Sequence, residues 1–136
     1  MEANELMLGD IVSLWGKTPV KITSIYDVCA GYVSEDKHGV AGMECFVDMP
    51  LSREILEKNG GTCIAVGDHG AATPRKLYSR FEKWTYPSGN GNGIIPVWYD
   101  CTLKKWSMAG MSVYFDTIRI FQHLLAVLGI DREISL

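Results

Sequence analysis

The sequence predicts an α+β fold: a small β-barrel, then an antiparallel sheet packed by a C-terminal helix. Three observations carry this expectation. Short runs of β-branched and aromatic residues fill residues 5 to 50, with turn residues about every ten positions. A capped helical stretch, "PLSREILEKNGG", interrupts them mid-chain. A run at helical period, from Phe115 to Leu128, follows the last strand-like segment. The expected division is residues 1–50 as the barrel and residues 51–136 as the α+β half.

The elements follow in order. "GDIVSLW" (Gly9 to Trp15) is apolar and β-branched, and "GKTP" (Gly16 to Pro19) is turn chemistry. "VKITSIY" (Val20 to Tyr26) alternates apolar and polar residues apart from a slip near its end. "CAGYVSED" and "GVAGMECFVDM" supply two more strands around the hairpin turn "EDKHG" (Glu35 to Gly39). Short strands at this spacing read as an SH3-like barrel, with other small antiparallel sheets left open. Ser52 is the expected N-cap of the linking helix, with Ile55 and Leu56 facing inward and Asn59-Gly60-Gly61 as its stop.

In the second half, "TCIAVG" (Thr62 to Gly67) is one strand and "DHGAATP" (Asp68 to Pro74) a loop. "KLYSRFEKWTY" (Lys76 to Tyr86) spaces Leu77, Phe81 and Trp84 by three and four, which also permits a helix. Its Tyr, Phe, Trp and Thr content favours a strand. "IIPVWYDC" is a further strand, which Pro96 assigns to an edge or a bulge because it lacks a ladder donor. "KKWSMAGMSVYF" holds the last one. In the terminal helix, Phe115, Ile118, Phe121, Leu124, Leu125 and Leu128 form the apolar stripe. Asp116, Arg119 and His123 share the opposite face, read as solvated, and Gly129 ends the helix.

Composition narrows the function. A chain of 136 residues is long enough to bury a core without staples, and 47% hydrophobic with 21% charged residues excludes a disordered segment. The net charge is −3, which gives no global attraction to a polyanion. "MEANELMLGDIV" has neither the basic nor the apolar region of a secretory signal, and Ile118 to Ile130 is too short and polar to span a bilayer. A cytoplasmic protein without membrane contact is expected. Cys29, Cys45, Cys63 and Cys101 form no Cys-x-x-Cys pair and read as buried free thiols. No metal or other cofactor is expected.

The candidate sites are few. "SGNGNG" (Ser88 to Gly93) lacks the lysine and hydroxyl of a phosphate-binding loop, and its repeated Asn-Gly reads as a hairpin turn. Asp68, His69 and Arg75 put an acid, a base and a cation in one polar loop, the weak catalytic candidate, with no nucleophile at a recognisable spacing. Arg75, Lys76, Tyr78, Arg80, Lys83 and Trp84 interleave cations with rings, as a single-strand nucleic-acid binder does. The alternative reading of the same stretch is an amphipathic strand with its rings in the core. Trp15, Trp84, Trp98 and Trp106 are many for so small a core, so one or two are expected at the surface, where tryptophan anchors interfaces.

Three segments carry a resemblance. Asn4-Glu5-Leu6 with Gly9-Asp10, Pro50-Leu51-Ser52 with Leu56 and Asn59-Gly60, and Phe121-Gln122-His123-Leu124 resemble the corresponding patterns of a group of small proteins from gut Bacteroidetes genomes and their prophages. The resemblance covers roughly the first 60 and last 20 residues and departs at Phe121, where leucine is usual. It implies a cytoplasmic bacterial or phage origin and a two-part architecture, and it carries over no catalytic residue. The leading expectation is a non-enzymatic interaction module with a protein partner or a second copy of itself. A nucleic-acid accessory protein comes second, and a small enzyme using the His69 loop third.

Overall fold

The computed structural model describes residues 1–68, 80–88, 93–108 and 114–136, with the side chains of Asp68 and Arg80 excepted. It is a mixed α+β structure with two five-stranded antiparallel sheets. The chain divides into two units, Met1–Leu51 with Thr117–Ile134 and Ser52–Asp116 with Ser135–Leu136.

The first unit holds β1 (Ile11–Leu14), β2 (Thr18–Ile25), β3 (Cys29–Ser34), β4 (Lys37–Gly42) and β5 (Phe46–Val47) in the order β4-β3-β2-β1-β5. β3 and β4 meet in a two-residue turn, with Glu35 and Asp36 both at positive φ, the conformation a tight hairpin demands. The slip in the alternation of β2 is a register shift between Ile22 and Ser24. A 3-10 turn, Met43–Cys45, leads into β5. Leu6, Val12, Val20, Ile22, Ala30, Met43 and Phe46 form the core. Among the described residues no pairing joins β4 to β5, so the sheet stays open where the sequence predicts a closed SH3-like barrel.

The terminal helix belongs to this first unit, not to the second sheet where the sequence reading places it. Among the helices, this is α2 (Ile118–Val127), after α1 (Arg53–Lys58). Thr117 caps α2 by accepting from the Ile120 N–H at 3.3 Å, and the Ile118 N–H donates to the Met49 carbonyl at 2.9 Å. Ile118, Phe121 and Leu125 are fully buried. So is Gln122, and it explains the docking. Its Oε1 accepts the Ile11 N–H at 2.8 Å, and its Nε2 donates to the Gly9 and Arg132 carbonyls at 3.0 Å. The side chain thus completes hydrogen bonds at the start of β1 that the sheet leaves open.

The second unit opens with α1. Ser52 is its N-cap, accepting from the Ile55 N–H at 3.2 Å. Its end is a Schellman turn: the Gly60 N–H donates to the Glu57 carbonyl, the Gly61 N–H to that of Leu56, and Gly60 takes φ +97°. A side chain at Gly61 would meet the Leu56 carbonyl at 2.8 Å, so the close approach requires glycine there.

The strands β6 (Thr62–Asp68), β7 (Arg80–Pro87), β8 (Ile94–Asp100), β9 (Lys105–Met108) and β10 (Tyr114–Phe115) run in the order β10-β9-β8-β7-β6. From Arg80 onward the ambiguous Lys76 to Tyr86 stretch is a strand. β8 is interior, not an edge as Pro96 suggests. Described pairing with β9 begins only at Val97, so at Pro96 the described ladder runs on the β7 side alone. Register places Trp84, Val97, Trp106, Met108 and Phe115 on one face. All five are buried, with Trp84 and Trp106 edge-on at 6.0 Å. The ends of β7 and β8 pair as a hairpin requires, Pro87 with Ile94, while residues 89–92 lie outside the described residues.

Candidate functional site

His69, Arg75, Lys76 and Tyr78 lie outside the described residues. Asp68 and Arg80 are described as a backbone pair between β6 and β7. Lys83 and Trp84 are neighbours in β7 and therefore point to opposite faces. Trp84 is 4% exposed, with its indole N–H donating to Glu82 at 3.0 Å, so its ring is core and not a stacking platform. Lys83 instead lies over Trp98, 5.2 Å from the ring centroid.

Of the tryptophans, Trp15 is the exposed one, at 64%, in the turn between β1 and β2 with φ +58°. Trp106 is buried and Trp98 half-buried. The buried-thiol expectation holds for Cys45; Cys63 is exposed, and all four cysteines are free. Among the described residues no group of three or more His, Cys, Asp or Glu is placed to hold a metal, and no helix is long and apolar enough to cross a membrane.

Of the face read as solvated, Asp116 is exposed, whereas Arg119 and His123 are bonded. Arg119 grips Asp48 with both ends of its fork, at 2.7 and 3.0 Å, and donates to the Glu5 carbonyl at 2.9 Å. That bond to Asp48 raises the guanidinium pKa further above its ordinary value. His123 Nε2 lies 2.8 Å from a carboxylate oxygen of Asp10, which is fully buried. Asp10 also accepts the Met7 N–H at 2.8 Å and pairs with Arg132. A buried carboxylate is tolerable because a guanidinium and two further groups surround it. The arrangement anchors the helix and the segment after it to β1. Asp10 stands in the sequence as a lone acid before an apolar strand, and nothing there marks it as buried.

The surface that differs from its surroundings is β6. Among the described residues it is an edge strand, and every residue from Thr62 to Gly67 is exposed. Ile64 and Val66 are 55% and 56% exposed. Natural edges are blunted by charges, proline or bulges. Thr62 to Gly67 carries no charge and no proline, and of these devices it has the register shift between Cys63 and Ala65.

A recess of about 440 Å³ sits at the head of this strand, lined by Glu57, Gly60, Gly61, Thr62, Cys63 and Trp84. Cys63 and Trp84 are direct cross-strand partners, so their side chains share a face of the sheet, and the end of α1 forms the other wall. No protein-family model, curated protein or solved structure matches the chain.

Proposed function

We propose that the protein is a non-enzymatic interaction module that takes up an extended segment of a partner protein as an added strand on β6. The observation that carries the reading is the edge itself: six consecutive exposed, uncharged positions, Thr62 to Gly67, with apolar Ile64 and Val66 among them. Main-chain pairing supplies affinity in strand addition, and side-chain recesses along the edge supply selectivity. The first sheet fits an SH3-like half, because the order β4-β3-β2-β1-β5 with a 3-10 turn before β5 is that of such a barrel. A bacterial or phage origin and a cytoplasmic setting belong to the same proposal.

A second reading, a nucleic-acid accessory role, has one observation in its favour, the Lys83–Trp98 pair on the sheet face opposite Trp84. One experiment separates the two. The tagged protein and Ile64→Lys are used for affinity capture from host lysate, with and without nuclease. Retention that survives nuclease and falls at least tenfold in the variant supports strand addition. Retention abolished by nuclease transfers the function to the Lys83–Trp98 face. Equal retention by both proteins removes β6 as the site.

A further inference from the structure

Resting on strand addition at β6, we infer that the recess at the head of β6 selects partners carrying a lysine or arginine. The occupant is a basic side chain of the added strand, with its stem in the recess beside Thr62 and Cys63 and its cationic head at Glu57. The argument starts from place. The recess opens beside Thr62 and Cys63, the first residues of the exposed edge, so a strand laid along β6 presents one side chain to it. Buried Trp84 closes its floor, and its one ionisable carboxylate is Glu57, which is exposed at the end of α1. An exposed acid at the rim of a recess fits an amphipathic cation, which buries an apolar stem and keeps its charge at the rim.

The carboxylate of β7, Glu82, is already held by Arg53, whose Nε and Nη2 reach its two oxygens at 2.8 Å. Lys58, beside Glu57 in α1, is directed to the Leu136 carbonyl. The edge of β6 adds no charge of its own from Thr62 to Gly67, so the selectivity for charge at this site rests on Glu57.

The test is a random dodecapeptide display library selected in parallel on the full-length protein, Glu57→Gln and Glu57→Lys. Glu57 is exposed, and neither change touches the core. The expected result is a strand-like consensus on all three proteins. One position should be enriched in Lys and Arg on the unmodified protein, neutral on Glu57→Gln, and enriched in Asp and Glu on Glu57→Lys. A synthetic peptide from the first selection should lose about tenfold in affinity when its basic residue becomes Gln, and thiol reagents should modify Cys63 more slowly in its presence. The same strand-like consensus on all three proteins, with no change at any charged position, overturns the recess and leaves strand addition standing. A selection without strand-like sequences on any of the three overturns both.

Discussion

Replacing Gln122 by Leu tests whether the terminal helix is held by its amide as much as by its apolar stripe. Leucine has nearly the volume of glutamine, so packing changes little, but three hydrogen bonds disappear. The Ile11 N–H is the expensive loss, since Ile11 is buried and water cannot replace the amide oxygen. Stranding it costs about 1–3 kcal/mol. The Gly9 and Arg132 carbonyls belong to half-buried residues and regain water, so together they add about 1 kcal/mol. Apolar burial of the new side chain returns roughly 1 kcal/mol. The expected net loss is about 1–3 kcal/mol, a fall of roughly 4–12 °C in Tm for a chain of this size. Urea and thermal unfolding followed by circular dichroism measure it, and amide exchange at Ile11 should accelerate in step. An unchanged midpoint with undisturbed Ile11 protection would refute the assignment of the helix anchor to this amide.

Other substitutions probe separate parts of the fold. Asp10→Ala leaves Arg132 and His123 facing an empty site and should cost about 3 kcal/mol in urea unfolding. Leu56→Ala removes the buried side chain of α1 and should cost about 2–4 kcal/mol by the same measurement. Gly60→Ala places a Cβ 3.0 Å from the Pro87 ring at positive φ and should lose about 1–2 kcal/mol, whereas Ser52→Ala, deleting a cap, should lose about 1 kcal/mol. A Gly60→Ala protein as stable as the original would show that the Schellman turn relaxes freely.

Local chemistry was the legible part of the fold. Ser52, Asn59-Gly60-Gly61 and Gly129 act through groups within a few residues, and each performs its expected role in the structure. The Glu35-Asp36 turn and the slip in β2 are local in the same sense. Partnership across the chain was not legible. Gln122 meets Ile11 at 111 positions' separation, and Asp10 meets His123 at 113. A polar helical face looks the same in sequence whether water or a buried acid receives it. That ambiguity sent α2 to the second sheet and its His123 to solvent. Pro96 misled for a related reason: its missing donor disqualifies a strand from the interior only where a neighbour needs that donor.

The candidate site shows the same limit from the other side. "TCIAVG" is an uncharged apolar run, and a strand buried on both faces reads identically to one exposed on both. Burial belongs to what lies beside the strand, and periodicity within it cannot report that. The cations and rings of Arg75 to Trp84 attracted notice because they are chemically conspicuous. Yet strand alternation sends Lys83 and Trp84 to opposite faces, and core formation takes the ring. What remains at the surface is a neutral edge, Thr62 to Gly67, with a recess at its head and Glu57 at the rim. A neutral edge offers a polyanion no cation from Thr62 to Gly67, and strand addition, as proposed, draws on the main chain instead. On the proposed strand addition, selectivity rests with the few side chains at the head of the strand, so partners should share one basic residue while their overall sequences differ.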